Sequence, residues 1–155
     1  MSFTMEQFRL AGKVAIVTGA GGRGNSIGRA YALGLANAGA AVVVADINEQ
    51  GAGAVAAEIN AAGGTAIGVR VDITDPASAT AMVDAATTAF GGVDILVNNA
   101  ALMAELGMLH VADVSLQEWN RILNVNLTGA LICAQAVIPS MRARGGGRIV
   151  NQTSG

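Results

Sequence analysis

Residues 13–28, which read KVAIVTGAGGRGNSIG, decide the fold. Residues 13–18 form a mainly apolar, β-branched run that predicts a buried strand, and a helix is predicted from Ser26 to Asn37. The glycine-rich turn between them lets backbone N–H groups and a helix N-terminus approach a pyrophosphate without interference from a Cβ atom. Glycines alone are a weak signal in a chain with 21 of them, but a turn between a strand and a helix is the context that phosphate binding requires. The stretch therefore predicts a phosphate-binding turn, with a merely structural turn as the alternative.

The remaining sequence alternates short β-branched runs with alanine-rich helical stretches. Four further runs are predicted strands, at residues 41–46, 65–72, 93–98 and 148–152. Each further predicted helix opens with a side chain that can cap a helix, and these helices cover residues 48–62, 75–90 and 115–144. Five strands alternating with four helices predict an α/β fold, a doubly wound, Rossmann-like parallel sheet with helices on both faces.

Composition excludes several classes of protein. Of all residues 52% are hydrophobic and 13% charged, which argues against a disordered chain. The net charge of -2 provides no basic surface for nucleic acid. One cysteine, Cys133, and one histidine cannot build a metal site, and a single cysteine cannot form an internal disulfide. We therefore expect no metal and a location in the reducing cytoplasm.

The one apolar stretch that could suggest a membrane is residues 122–141. It has the length of a spanning helix and no charged residue. It also contains polar residues, among them Asn124, Asn126 and Gln135, which lipid disfavours. We interpret it as a buried helix of a soluble protein and expect no membrane partner. Charged residues near the N-terminus likewise argue against a signal peptide.

Asp46 ends the second predicted strand, 18 residues after Gly28. At this position a carboxylate can accept hydrogen bonds from a ribose diol and repel a 2′-phosphate, which favours NAD(H) over NADP(H). Arg23 in the glycine-rich turn is the opposing signal, because it could pair with a phosphate. We give Asp46 more weight, since its spacing from the turn is the one that the fold requires. A surface acid at a strand end is the alternative.

With these features, the sequence resembles the short-chain dehydrogenase/reductase family over nearly its whole length. Residues 18–28 resemble the family's Thr-Gly-x-x-x-Gly-x-Gly turn, and residues 98–101 resemble its Asn-Asn-Ala-Gly. Asp72 matches the family's adenine-contacting aspartate. Residues 125–129 resemble the helix segment with the catalytic asparagine, and residues 147–154 resemble the strand that delivers the catalytic serine.

The resemblance implies a hydride transfer between a nicotinamide and an alcohol or carbonyl carbon. Ser154 would stabilise the charge that develops on the substrate oxygen, and Asn126 would hold a water of a proton relay. A turn-forming serine and a locally bonded asparagine are the alternatives. The implied cofactor-binding residues are Gly19, Gly21, Arg23, Asn25, Ser26, Ile27, Gly28, Asp46, Ile47, Asp72, Ile73, Asn98 and Ala100.

Two departures from the family pattern concern the turns. The glycine-rich turn is three residues longer than usual, and Ser26 stands where a glycine is expected. A helix that starts with Ser-Ile, as it does here, also resembles the enoyl-thioester reductase branch. Ala101 replaces the final glycine of Asn-Asn-Ala-Gly.

The family's catalytic Tyr-x-x-x-Lys would follow Ser154 by about a dozen residues, but the sequence ends at Gly155. Tyr31 and Lys13, the only residues of their types, lie far from the required positions. We therefore expect residues 1–155 to be one NAD(P)-binding Rossmann domain truncated at its C-terminal side, with five of the usual seven strands. We expect these residues alone to be inactive and their last strand to be an open edge.

The resemblance further implies a homo-oligomer, a tetramer or a dimer, with the long apolar helix at the subunit interface. The expected partner is a small alcohol or carbonyl substrate. Two other functions stay open from the sequence: a non-catalytic module that only binds the dinucleotide, and an enoyl-thioester reductase.

Overall fold

The computed structural model describes residues 4–22, 26–102 and 110–153. Within these residues one sheet contains five parallel strands, in the order β3-β2-β1-β4-β5. The strands are β1 Val14–Thr18, β2 Ala41–Asp46, β3 Thr65–Arg70, β4 Ile95–Asn98 and β5 Arg148–Asn151. The helices are α1 Ile27–Asn37, α2 Glu49–Ala61, α3 Pro76–Phe90, α4 Leu116–Leu123 and α5 Gly129–Ala143. The predicted doubly wound α/β fold is confirmed.

The core has two layers because successive strand residues point to opposite faces of the sheet. On β1, Ala15 and Val17 belong to the layer under α1 and α2, whereas Ile16 belongs to the layer under α3 and α5. All five residues of β1 are buried. Continuous apolar runs such as this one are typical of strands covered on both faces.

The four predicted helix starts are confirmed by N-cap hydrogen bonds. Each cap side chain accepts a hydrogen bond from a backbone N–H two or three residues later, which satisfies a group that has no partner within the helix. The caps are Ser26, Asn48, Asp75 and Ser115. At the other end of α3, Gly91 adopts a left-handed conformation with φ of 84°, which glycine allows and which ends the helix.

β1 and β5 are each one residue shorter than predicted, and β3 and β4 are each two residues shorter for a local reason. β3 ends at Arg70 rather than Asp72, because the Asp72 carboxylate accepts hydrogen bonds from Thr74 and turns the chain. β4 begins at Ile95 rather than Val93, whose N–H donates to the Ser140 hydroxyl at 3.0 Å.

The long helix predicted at residues 115–144 is continuous and consists of three successive segments. A π-helical segment, Asn124–Thr128, joins α4 to α5. α5 buries one stripe of side chains, spaced four residues apart, against α3 and the sheet, whereas α4 buries none. By length and composition alone the helix Leu116–Ala143 could cross a membrane, and 17% of its apolar window is buried in the structure. The helix predicted to be buried at residues 122–141 is therefore buried along one face only, the stripe on α5.

β5 forms one edge of the sheet, and all four of its residues are exposed. Its apolar residues Ile149 and Val150 are 37% and 45% exposed. Within the described residues β5 pairs only with β4.

Candidate functional site

Two adjoining cavities open at the carboxyl edge of the sheet, where ligands bind in open α/β folds. The loop-side cavity, about 650 Å³, extends from the glycine-rich turn to the ends of β2 and β3. The β5-side cavity, about 790 Å³, extends from the ends of β1 and β4 to β5 and α5. Their shared walls are Ile27, Ile73, Asn99, Ala100 and Ala101.

Thr18 and Asn99 fix the glycine-rich turn to the end of β4. The Asn99 Nδ2 group donates to the carbonyls of Thr18 and Gly19 at 3.0 and 3.2 Å. In return, the Thr18 hydroxyl accepts from the N–H groups of Asn99 and Ala100 at 3.1 and 3.2 Å. The turn is so closely packed that a Cβ atom on Gly28 would overlap the Gly19 carbonyl. These contacts fix the backbone of residues 18–19 against the end of β4.

Asp46 lies buried between the turn and α2. Its Oδ2 accepts from the Gly21 N–H, and its Oδ1 accepts from the Asn48 N–H, both at 2.9 Å. Ile47 beside it is 62% exposed and lines the same cavity. A carboxylate has about four lone-pair positions, so Asp46 can still accept hydrogen bonds from a diol in the cavity.

Asp72 supplies a second carboxylate to the loop-side cavity. Its Oδ1 accepts from the Thr74 hydroxyl at 2.7 Å and from the Thr74 N–H at 2.9 Å. These two hydrogen bonds, helped by the charge of Arg70, hold the pKa of Asp72 below its ordinary value despite partial burial. Asp72 therefore stays ionised and can accept hydrogen bonds from a ligand.

Asn98 joins β4 to β5 at the wall of the β5-side cavity. Its Nδ2 group donates to the Asn151 Oδ1 at 2.9 Å and to the Ala130 carbonyl at 3.1 Å. Asn98 is buried, and its Oδ1 has no partner among the described residues. The side chain thus connects two strand ends to α5.

Asn126 lies on the π-helical segment and faces the chain that follows β4. Its Oδ1 accepts from the Leu102 N–H at 2.8 Å, and its Nδ2 donates to the Leu102 carbonyl at 3.2 Å. The side chain therefore positions the backbone at Leu102. The water that the resemblance assigns to Asn126 stays a prediction.

Most of the predicted site residues come together. The predicted residues that line the loop-side cavity are Gly19, Ser26, Ile27, Gly28, Asp46, Ile47, Asp72, Ile73 and Ala100. Asn98 and Asn126 line the β5-side cavity, and Gly21 contacts Asp46. Arg23, Asn25 and Ser154 lie outside the described residues.

Sequence reasoning did not assign a role to Thr18 or Asn99. Thr18 lies in the glycine-rich turn and Asn99 in the segment that resembles Asn-Asn-Ala-Gly. The signal that could have identified them is a hydrogen-bonding side chain next to glycine or alanine in each segment.

Ala101, at the position of the family's glycine, is unstrained: among the described residues only glycines have positive φ. Lys13 lies at the opposite edge of the sheet, 3.7 Å from Asp94.

Comparisons with known proteins agree with this geometry. A family model described as short chain dehydrogenase matches residues 13–155. An uncharacterized oxidoreductase of Mycobacterium tuberculosis is 56% identical over 142 residues, which cover 92% of this chain and 56% of that protein. The 3-alpha-(or 20-beta)-hydroxysteroid dehydrogenase of the same species is 45% identical over 146 residues, 94% of this chain and 53% of that protein.

The structural comparison gives the same result. A crystal structure of hydroxysteroid dehydrogenase from Escherichia coli superposes with a TM-score of 0.87 at 39% identity, covering 97% of this chain and 61% of that one. The chain thus spans about half the length of the curated relatives it matches.

Proposed function

The chain belongs to the short-chain dehydrogenase/reductase family, and we propose that it forms the cofactor-binding part of an NAD-dependent oxidoreductase acting on an alcohol or carbonyl substrate. The observation that carries the proposal is the placement of Asp46. Its carboxylate lies at the wall of the loop-side cavity and is bonded to the glycine-rich turn itself. A ribose diol at this wall has an acceptor, and a 2′-phosphate meets a negative charge.

The described residues fit a nicotinamide dinucleotide. The cavity combines a glycine-rich backbone and a helix N-terminus for a pyrophosphate with two carboxylates for hydroxyl or amino groups. The apolar side chains of Ile47 and Ile73 lie next to these carboxylates and offer surfaces to an aromatic base. When bound, the nicotinamide supplies the chemistry of hydride transfer.

The chain's own residues would orient the reactants. Asn98 and Asn126 hold the walls of the β5-side cavity, where we place the substrate. Ser154, two residues after Gln152, is proposed to donate a hydrogen bond to the substrate oxygen and so stabilise the charge that develops there. Relatives named as hydroxysteroid dehydrogenases support a secondary alcohol or ketone as the substrate class.

A second copy of the chain is the proposed partner of the long helix. Three exposed apolar side chains follow one another at helical spacing of three to four residues, Leu116, Trp119 and Leu123. Leu127 and Leu131 continue this stripe, but they also line the β5-side cavity. Such a stripe marks an interaction surface in a soluble protein, and we propose that it takes part in a homo-oligomeric interface.

Isothermal titration calorimetry of the full chain with NAD⁺ and NADP⁺ tests the cofactor part of the proposal. We expect NAD⁺ to bind more tightly, because the Asp46 carboxylate disfavours the 2′-phosphate. Tighter binding of NADP⁺, or no binding of either dinucleotide, would contradict the proposal.

A further inference from the structure

The glycine-rich turn touches the first turn of α2 directly, backbone against backbone. A Cβ atom built on Gly51 would overlap the carbonyl oxygen of Gly21. A Cβ atom on Gly21 would lie 2.5 Å from the Ala52 nitrogen and 2.8 Å from the Asp46 Cβ. Both values are below any ordinary contact between these atoms. The two segments can therefore meet only because each has glycine at the point of contact.

Hydrogen bonds close this contact into a ring. Asp46 accepts from Gly21 on one side and from Asn48 on the other, each at 2.9 Å. The Asn48 Oδ1 then accepts from the Gly51 N–H at 3.1 Å, as the N-cap of α2. The carboxylate proposed to bind the ribose is thus also the group that bonds the glycine-rich turn to the start of α2.

α2 cannot move away to make room at this contact, because β3 supports its other side. A Cβ atom on Gly68 of β3 would lie 2.6 Å from the Gly53 nitrogen and 2.7 Å from the Ala52 carbonyl carbon. The helix therefore packs on the sheet at backbone distance. A side chain added at residue 51 must displace the glycine-rich turn rather than the helix.

We propose that Gly51 is a specificity-determining residue that favours NAD over NADP. Because residue 51 has no side chain, the Gly21 carbonyl can lie against α2, and the Gly21 N–H can stay bonded to Asp46. This contact closes the gap between the turn and α2 that a phosphate group beside Asp46 would have to enter. The inference rests on the proposed function, in which Asp46 accepts the ribose diol.

Gly51→Ala tests the inference, and Gly53→Ala is its matched control. Both place alanine at a helical glycine two residues apart, which should raise helix propensity similarly. A Cβ atom on Gly53 meets nothing within 4 Å, whereas one on Gly51 meets the turn. Dissociation constants of NAD⁺ and NADP⁺ are measured for the full chain by calorimetry, and folding is followed by circular dichroism.

We expect Gly51→Ala to weaken NAD⁺ binding about tenfold and NADP⁺ binding much less, so that the preference for NAD⁺ narrows. Gly53→Ala should keep the wild-type ratio. If the two variants share the wild-type ratio, the inference is wrong while the proposed function stands. A wild type that binds NADP⁺ more tightly overturns the proposed function and the inference with it.

A second pair of variants decides the matter if Gly51→Ala does not fold. Asn48→Ala removes the cap that holds the Gly51 N–H, and Asp75→Ala removes the equivalent cap of α3, which lies outside this ring. We expect Asn48→Ala to lower the ratio of the NADP⁺ dissociation constant to the NAD⁺ dissociation constant. Asp75→Ala should leave this ratio unchanged. Equal ratios in both variants would overturn the inference.

Discussion

The strands β1 and β2 beside the loop-side cavity and the edge strand β5 beside the β5-side cavity differ in how completely their side chains are covered. On the loop side, β1 is wholly buried and β2 nearly so, and α2 packs on β3 at backbone distance. On the β5 side, every residue of β5 is exposed and α4 buries none of its side chains. The loop-side cavity therefore has walls fixed by packing within the described residues. The β5-side cavity is bounded partly by exposed residues, among them Asn151 of β5 and Leu131 of α5.

The largest expected effect tests whether this difference in burial is a difference in stability. Ile16→Ala removes a fully buried side chain from β1 and should lower the free energy of unfolding by about 3–4 kcal/mol. Ile149→Ala on β5 removes a side chain that is 37% exposed and should cost less than about 1 kcal/mol. Equilibrium unfolding in urea measures both, and equal losses would show that β5 is covered in solution.

The next effect concerns the ion pair that anchors the amino edge of the sheet. The buried Asp94 Oδ2 accepts from the Val14 N–H and from Arg144 Nη2, both at 2.8 Å. Burial by itself would raise the pKa of Asp94, but the hydrogen bonds from Arg144 and Val14 and the charges of Arg144 and Lys13 lower it below 3.8. Asp94→Asn should lower the free energy of unfolding at neutral pH by about 2–3 kcal/mol.

The sign of the pH dependence follows from the lowered pKa. Ionised Asp94 stabilises the folded chain above its ordinary pKa of 3.8, and this contribution is lost as the pH falls through the lower folded-state value. Wild-type stability should therefore fall below about pH 4, and Asp94→Asn should fall less steeply. Urea unfolding repeated between neutral and acidic pH checks this. If the free energy of unfolding falls equally with pH in the wild type and in Asp94→Asn, Asp94 is not a source of the pH dependence. Asp72, whose pKa is also lowered, should leave a residual slope in the variant.

A smaller effect is expected on cofactor binding at the loop side. Asp46→Ala removes both the proposed ribose acceptor and the partner of the Gly21 N–H. We expect NAD⁺ affinity to fall about tenfold, or about 1.4 kcal/mol, with the preference shifting toward NADP⁺ because the repelling charge is gone. Ile149→Ala, distant from this wall, serves as the control. An unchanged ratio of the two dissociation constants in Asp46→Ala would show that Asp46 does not determine the preference for NAD⁺.

The smallest effect on stability is expected on the exposed helix. Leu116→Gln replaces a side chain that is 79% exposed and should change the free energy of unfolding by less than about 0.5 kcal/mol. The same variant should reduce the mass of the assembly in light scattering if a second copy covers the stripe. An unchanged mass would place the oligomeric interface elsewhere.

Local signals in the sequence were sufficient for most of the fold. Asn48 and Asp75 cap the helices that they were predicted to cap, because a cap bond joins residues only two or three positions apart. Asp46 could be placed at the carboxyl edge of the sheet because it ends an apolar strand. The spacing of such residues along the chain determines their geometry directly.

Contacts between distant residues could not be predicted in the same way. Asn126 bonds to Leu102, 24 residues earlier, because the π-helical segment turns its side chain toward the end of β4. Arg144 pairs with Asp94 across 50 residues. No pattern in the sequence marks Gly51, since its role depends on the approach of a turn that lies 30 residues before it. The exposure of α4 could not be predicted from its pattern alone, because an apolar stripe looks the same whether it faces a core or another chain; only the family resemblance implied that the long helix lies at a subunit interface.

The strand order has a consequence for how the chain folds. β1 pairs with β2 across one short crossover, but the Val14 N–H on its other side meets Asp94, 80 residues along the chain. Closing the longer loop costs more chain entropy, so we expect the β3-β2-β1 half to assemble first and β4 to dock afterwards. Pulse-labelled hydrogen exchange during refolding would show amides of β2 protected before those of β4, and simultaneous protection would contradict this order. The central strand would then be the template on which the later half of the sheet grows.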